Sequence, residues 1–445
     1  MNADQLLDAC DRVLSRLGND AEAEVTVASG TDALTRFATS FIHQNVADAV
    51  RRIHLRVALD GHVAESFANQ TDDDALDRLV RSATDAARLR PPDPGWPGLA
   101  PPSPAAPVEH WDEATASADP DARAERVGAF VSAAGDLETA GFCSTEGVTV
   151  AFANSAGQRL AGRTTTAVLD GIARTPTSDG SARVASVSIS DLDGAAVGQA
   201  ATRRARESAD PTDLEPGRYE VVLSPSCVGN VFGFLALYGF NGRAVDEGRS
   251  FAELGQAQFD PAITLVDDVA HPMAAGVPFD AEGTPKRRTE LVREGMTVGL
   301  IHDRRTAKAL GAESTGHAVE GAGAWGALPS NLVLEAGARS RDELIGSMER
   351  GLLVTDLWYT RVLDPRTQVV TGLTRNGVWL VENGRISRPV SNLRFTQSYL
   401  EALAPGAVRG VGSDLTLTTG PFGGEAWAVP SLHLASWNFT GGAKG

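Results

Sequence analysis

The chain of 445 residues carries 57 acidic against 40 basic side chains, a formal net charge of −17, and 42% of its residues are hydrophobic. With an isoelectric point near 4.9, this balance argues against a nucleic-acid backbone or an anionic membrane surface as the main partner, since both attract clustered lysine and arginine. The length allows two or three domains, and three widely separated cysteines, Cys10, Cys143 and Cys227, offer neither a disulfide framework nor a CxxC metal knuckle.

Buried free thiols in a reducing, cytoplasmic compartment are therefore expected. The first residues place Leu6, Leu7, Val13 and Leu17 at helical spacing among acidic side chains, with no basic or apolar leader pattern, which predicts a helix over 3–18. Alternation predicts strands over 23–29, 34–38 and 53–59. Asp60-Gly61 is a tight-turn signal that folds the last of these back on 62–68 as a hairpin. Thr71 to Asp74 then cap a helix reaching about Leu89, with Leu76, Leu79, Val80 and Ala83 inward. These elements define an N-terminal α/β domain over 1–90.

Proline recurs every few residues through 91–107, which makes 91–111 a stiff, extended linker and a domain boundary. A middle α+β domain follows over 112–210: a helix at 120–134, strands at 138–145, 147–154 and 158–170, and a helix at 194–208. After a short hinge at 211–216 the remainder, within 211–445, reads as many short strands separated by Gly, Pro and Asn-Gly turns. Asn376-Gly377 and Asn383-Gly384, flanking 378–381, make a hairpin pattern there. The fold class is α+β, with a mainly β C-terminal domain.

One segment of that last domain stands apart. From Val221 to Gly242 there is no Asp, Glu, Lys, Arg or His. A strand at 219–223 meets the corner Ser224-Pro225-Ser226, and a helix follows over about 228–240. Val228, Val231, Phe232 and Leu235 cover one side of it, and Phe234, Leu237 and Tyr238 cover others. A helix apolar all round belongs in a core or in lipid, and a membrane span needs about 20 unbroken apolar residues. The corner and Asn230 interrupt the run, so this is a core helix, ended at Asn241-Gly242.

Motifs that carry chemistry are few. Of the eight histidines, none stands three, four or five residues from another, so no local zinc pair exists. Gly321 to Gly326 fits GxGxxG, but Pro329-Ser330 and a strand-like 331–335 follow where a dinucleotide site needs a helix, so a glycine-rich loop is expected. Asp267-Asp268, Glu282 and Asp246-Glu247 read as an acid and base pair or as turn-capping carboxylates. His302-Asp303 lacks a GxSxG partner, Ser250 lies in a polar loop, and Lys286-Arg287-Arg288 reads as a solvated basic loop. Asn241, Arg243, Asp246, Glu247 and Arg249 follow the core helix directly. They are candidates for contact with a partner subunit or a bound peptide, or form a solvated, mutually paired cluster.

Several short segments recur in a set order: the stretch 52–90, FANSAG at 152–157, LEPGRYEVVL at 214–223, EGRSF at 247–251 with Gly255-Gln256, LVDD at 265–268, EGT at 282–284, STG at 314–316, and VENG at 381–384 with Arg388-Pro389-Val390. In this order and spacing, from residue 52 to residue 390, the chain resembles the TldD/TldE (PmbA) metallopeptidase-like family. In the TldD-like half of that family, the helix before the GxS segment bears a zinc-binding HExxxH motif. Counting back from Gly248-Arg249-Ser250, the histidine places fall at Gly233 and Tyr238 and the glutamate place at Phe234. Zinc needs imidazole, thiolate or carboxylate, and its bound water needs a base. None of the three residues supplies these. Residues 420–425, GPFGGE, also lack the cysteine that TldD-like subunits carry before a glycine pair.

The resemblance is therefore to the TldE/PmbA-like half. It implies a chain without catalytic residues or metal of its own, in a hetero-oligomer with a TldD-like zinc subunit, acting on peptides or unfolded segments in proteolysis and peptide maturation. The alternative is a self-associating homodimer that captures peptides or a pathway intermediate with no catalytic partner. An enzyme with a relocated site built from distant His, Asp or Glu residues is the third reading.

Overall fold

A computed structural model describes residues 1–18, 20–321, 323–419 and 426–442. Helix α1 (Ala3–Leu14) opens on a capping box in which Asn2 and Gln5 exchange side-chain and backbone hydrogen bonds, and it buries Leu6, Ala9, Cys10 and Val13. Strands β1 (Ala21–Ala38), β2 (Phe41–Leu59) and β3 (His62–Ala68) follow as an antiparallel meander. The Asp60-Gly61 hairpin forms as expected, with both residues at positive φ. Asp72 caps α2 (Asp73–Leu89), and its carboxylate accepts from the Ala75 amide at 3.0 Å.

After the proline-rich stretch come α3 (Glu113–Ala116), α4 (Pro120–Ala134), β4 (Glu138–Asn154), β5 (Arg159–Arg174), β6 (Asp179–Ser186) and α5 (Gly194–Glu207). The order β3-β2-β1-β4-β5-β6 shows that strands from both sides of that stretch share one sheet. β1 and β4 pair continuously from Glu24 opposite Asn154 to Phe37 opposite Gly141. The expected boundary at 91–111 thus does not separate one sheet from another. Proline lacks an N–H but keeps its carbonyl, and the stretch is pinned as an acceptor. Asn154 donates to Ala100 O at 2.8 Å, Arg304 to Leu99 O at 2.8 Å and Lys308 to Trp96 O at 2.7 Å.

Helices cover one face of this sheet. α1 and α2 bury Leu6, Cys10, Leu76 and Leu79 on Val25, Val27, Ile53 and Leu55, while α4 and α5 bury Val127, Phe130 and Ala201 on Phe37, Cys143 and Leu169. The opposite face meets the second half of the chain, where Phe152 and Leu160 pack on Phe279.

That second half contains β7 (Gly217–Leu223), α6 (Pro225–Tyr238), α7 (Gly242–Asp246), β8 (Leu265–Asp267), β9 (Thr289–Arg293), β10 (Met296–Thr297), α8 (Arg304–Leu310), β11 (Leu332–Leu334) and α9 (Arg341–Gly346). It continues with β12 (Arg350–Asp364), β13 (Val369–Glu382), β14 (Arg385–Pro389), β15 (Leu393–Ser398), α10 (Tyr399–Leu403), β16 (Val408–Val411), β17 (Thr416–Thr419), β18 (Ala426–Val429) and β19 (Leu432–Gly442). One sheet runs β12-β7-β19-β15-β13, and β12 also pairs with β13, so it closes on itself as a small barrel. The other runs β10-β9-β8-β11-β18-β17.

Helix α6 lies in the largest core. Val228, Val231, Phe232 and Leu235 pack with barrel residues such as Val221, Leu223 and Val354, and with Trp427 and Val429 of β18. At Gly229 an added Cβ would sit 2.6 Å from the Thr418 hydroxyl, so β17 lies directly against the helix. Enclosure between two sheets explains an apolar surface all round.

The expected hairpin turn at Asn376-Gly377 is instead a bulge inside β13. Both residues have positive φ, and the pair stands opposite Thr355, whose hydroxyl donates to Gly377 O at 2.9 Å. Turn and bulge need the same backbone, which is why the dipeptide reads alike. Asn383-Gly384 is the true turn, leading into β14. Among the described residues, no helix is long and apolar enough to cross a membrane.

Candidate functional site

Position on α6 is set by its entry. Ser224 takes the N-cap conformation, Pro225 occupies the first turn, and the Ser226 hydroxyl donates to Asp356 of β12 at 3.1 Å. From there Asn230, Phe234 and Tyr238 fall at intervals of four, on one face. The Asn230 amide donates to the Thr360 hydroxyl at 3.0 Å and accepts from the Tyr399 hydroxyl at 3.1 Å. The Phe234 and Tyr238 rings stack with centroids 6.0 Å apart, Tyr399 meets Phe234 edge-on at 6.4 Å, and Trp325 meets Tyr238 edge-on at 6.0 Å.

The three motif places are thus a glycine, a buried phenyl ring and a half-buried phenol. Burial raises the Tyr238 phenol pKa, against the lowering effect of Arg249 and Arg361. Cys227 is no substitute ligand. Its thiol donates to Val354 O at 3.5 Å, and burial pushes its pKa well up. These side chains do not fit zinc, and among the described residues no group of three His, Cys, Asp or Glu is arranged to hold a metal ion. The C-terminal 420–425 segment lies outside the described residues.

The charged residues beyond the helix come together, with one exception. Arg243 and Arg249 each donate from Nε to one oxygen of Glu247, both at 2.8 Å, and Arg243 also donates to Gly323 O. Hydrogen bonds from Arg243 and then Arg249 hold the Glu247 carboxyl below its usual range. Asn241 is buried and structural: its oxygen caps the Arg243 amide at 2.9 Å, and its Nδ2 donates to Trp325 O at 2.8 Å and Ala327 O at 2.7 Å. It therefore ties the glycine-rich loop, at Trp325 and Ala327, to the end of α6. The exception is Asp246, which is exposed and makes no ion pair among the described residues.

A model of the PmbA/TldA metallopeptidase C-terminal domain matches residues 216–441, from the start of β7 to β19. The chain belongs to the PmbA/TldD metallopeptidase family. It is 30% identical over 246 residues to a metalloprotease of Methanothermobacter thermautotrophicus, covering 53% of this chain and 51% of that one. It is 26% identical over 201 residues to the metalloprotease PmbA of Escherichia coli O157:H7, covering 44% and 42%. The chain spans about half the length of the curated relatives it matches. In fold it matches the crystal structure of TldE from Thermococcus kodakarensis with a TM-score of 0.88 at 19% identity, over 99% of this chain and 100% of that one.

Within this PmbA/TldD-family fold, the other polar segments converge on a buried hub that is invisible in local sequence. Asp267 pairs with His317 Nε2 at 3.0 Å and accepts the Ser330 and Asn331 amides at 2.8 and 3.0 Å. His317 Nδ1 contacts the Thr315 hydroxyl at 2.8 Å. Burial alone would raise the Asp267 pKa, but His317 and the two amides outweigh it and leave it lowered. Asp280 accepts the Glu282, Thr284 and Ala318 amides at 3.0, 2.8 and 2.9 Å. Burial, with the charge of Glu282, pushes it to about 7 against those donors.

Glu282 accepts the Arg304 amide at 2.9 Å and lies 3.4 Å from Arg56, which also reaches Glu24 at 2.8 Å and Glu65 at 3.4 Å. One guanidinium serves three carboxylates, so burial prevails at Glu24 and pushes its pKa to about 8 despite the close ion pair. The hub joins the N-terminal sheet to the C-terminal half. His317 is buried, and its contact with Asp267 lies inside the fold.

The remaining candidates dissolve into scaffolding. His302 faces the Thr306 hydroxyl at 3.4 Å, Asp303 caps α8 through the Thr306 amide at 2.7 Å, and the Ser250 hydroxyl donates to Gly239 O at 2.6 Å. In the basic loop, Arg287 pairs with Glu313 at 2.9 Å and Arg288 with Glu290 at 2.6 Å, while Asp268 lies 3.7 Å from Arg288.

Proposed function

We propose that this chain is a TldE/PmbA-like, non-catalytic subunit of a hetero-oligomeric zinc metallopeptidase that acts on peptides or unfolded segments. The observation that carries the reading is the chemistry of the α6 face: Gly233, Phe234 and Tyr238 stand where ligands and base are needed, and the latter two are stacked aromatic rings. Full-length likeness in fold to TldE supports it. An inert copy of a peptidase fold contributes cleft walls, sheet edges and an interface, while a TldD-like partner supplies zinc.

The test is co-expression with an HExxxH-bearing relative. The two chains should copurify, with zinc in the relative only, and chelation should abolish cleavage of an unfolded peptide. One zinc per chain in this protein purified alone, with chelator-sensitive activity, would overturn the proposal. A homodimer indifferent to any such relative would also overturn it.

A further inference from the structure

Two buried carboxylates from opposite halves of the chain converge on one nitrogen: Arg56 Nη1 lies 2.8 Å from Glu24 of β1 and 3.4 Å from Glu282, in a loop of the second half. We propose that a proton on Glu24 acts as a latch between the two halves: while it is held, the loop 279–284 stays seated on the N-terminal sheet, and its loss above neutral pH lets the loop lift and the seam open. The latch needs nothing from a partner chain, so it stands apart from the peptidase reading.

Charge balance supplies the first argument. The side chains of Glu24, Glu282 and Arg56 are 5%, 8% and 14% exposed, and Asp280, also buried, is close enough for its charge to act on Glu24. Neighbouring cations are engaged elsewhere. Arg304 donates its side chain to the Gly98 and Leu99 carbonyls, Arg305 pairs with Asp93, and Arg56 divides its charge further with Glu65, which also meets His54 at 3.1 Å. Of the remaining charged groups, Arg90 acts on Glu65, Lys286 on Asp280, and Asp303 on Glu282 with the same sign as the hub carboxylates. Three buried carboxylates around one guanidinium cannot all stay ionised where water is excluded.

Hydrogen bonding decides which of them keeps the proton. Asp280 accepts three backbone amides and Glu282 accepts one, that of Arg304. Glu24 accepts none among the described residues, so its ionised form has the least support, and burial pushes its pKa to about 8. The loop that carries Asp280 and Glu282 also makes the seam. Phe279 packs on Phe152 and Leu160, Gln158 donates to Gly283 O at 2.8 Å, and Gly283 lies so close to the Phe152 ring that an added Cβ would be 2.1 Å from it. Ionised Glu24 sets a second buried anion on Nη1 beside Glu282, and lifting the loop relieves the repulsion by admitting water.

The test is hydrogen exchange on the full chain from pH 5 to pH 9, with each amide's rate divided by its intrinsic rate. The Glu282, Thr284 and Arg304 amides, which donate to the hub carboxylates, should be less protected than those of Phe232 and Leu235 in α6, because the seam opens without global unfolding. Their protection should fall at least about fivefold between pH 7 and pH 9, since a group with a raised folded pKa loses its contribution as pH rises through that value. Glu24→Gln, neutral at every pH, should reduce this fall to under about threefold. Glu282→Gln removes the competing anion and should move the fall to lower pH. The latch is overturned by loop protection that does not change with pH, by a fall of equal size in Glu24→Gln, by a fall unmoved in Glu282→Gln, or by equal protection of the loop and α6 amides.

Discussion

Phe234 and Tyr238, one turn apart on α6, hold their rings 8° from parallel. A zinc helix would keep this face open to a metal and its water, whereas here the rings, with Tyr399 and Trp325 at their edges, close it. The face has become part of the core, and its residues should behave as core residues do.

Phe234→Ala should therefore cost about 3–5 kcal/mol, the range for truncating a buried phenyl ring. Tyr238→Phe, at a half-buried position, should cost under about 1 kcal/mol. Urea unfolding midpoints at constant slope decide the matter. Equal, small effects at both positions would mean that the face is not packed.

The Asp267 and His317 pair should dominate acid stability locally. Asp267 has a lowered folded pKa, so its contribution is present above the unfolded value near 3.8 and is lost as pH falls through the folded value. His317→Leu strands a buried carboxylate and should cost about 3–5 kcal/mol at pH 7. The cost should shrink on acidification, because the stranded carboxyl then protonates. A pH-independent loss would point to packing instead.

Why is α6 legible in the sequence and the hub not? A strand, a Ser-Pro corner and an apolar run are local signals, and the helix 120–134 is bounded on both sides by Asp119-Pro120 and Gly135. The continuous sheet rests on Glu24 meeting Asn154 across the chain, which no local propensity records. Glu282 and Asp267 sit in short segments that look solvated, and burial by distant parts of the chain makes them a lock. Asn376-Gly377 misleads because φ, not partner, is what the dipeptide encodes.

Glu24 carries the opposite pH sign. Its folded pKa, about 8, lies above the unfolded 4.5, so the native state holds the extra proton. Stability should be fullest below pH 4.5 from this group and fall as pH rises towards 8. Glu24→Gln should flatten that part of the profile by at least about 1 kcal/mol between pH 5 and 9. Urea midpoints across that range show it, and an unaltered slope would place the ionised form of Glu24 in the native state.

Asn241→Ala removes two donors and a cap at once. The Trp325 and Ala327 carbonyls lose their partner, so the substitution should cost about 1–3 kcal/mol. Exchange of backbone amides over 323–328 should quicken beyond the global change. A loss of stability without that local quickening would separate the cap from the loop.

The cluster beyond α6 offers the sharpest test of a partner role. Arg243, Glu247 and Arg249 are partly exposed and satisfy each other, so their pairing contributes little to folding, about 0–1 kcal/mol. Glu247→Lys should leave the unfolding midpoint nearly unchanged while setting three cations side by side where the glycine-rich loop meets α7. Charge reversal at an interface rim acts on association rate and partner choice. If a zinc-bearing subunit docks here, its affinity should fall at least about tenfold, more at low than at high salt. Measured binding unaffected at any salt would leave the cluster as a solvated, self-paired knot and move the interface elsewhere.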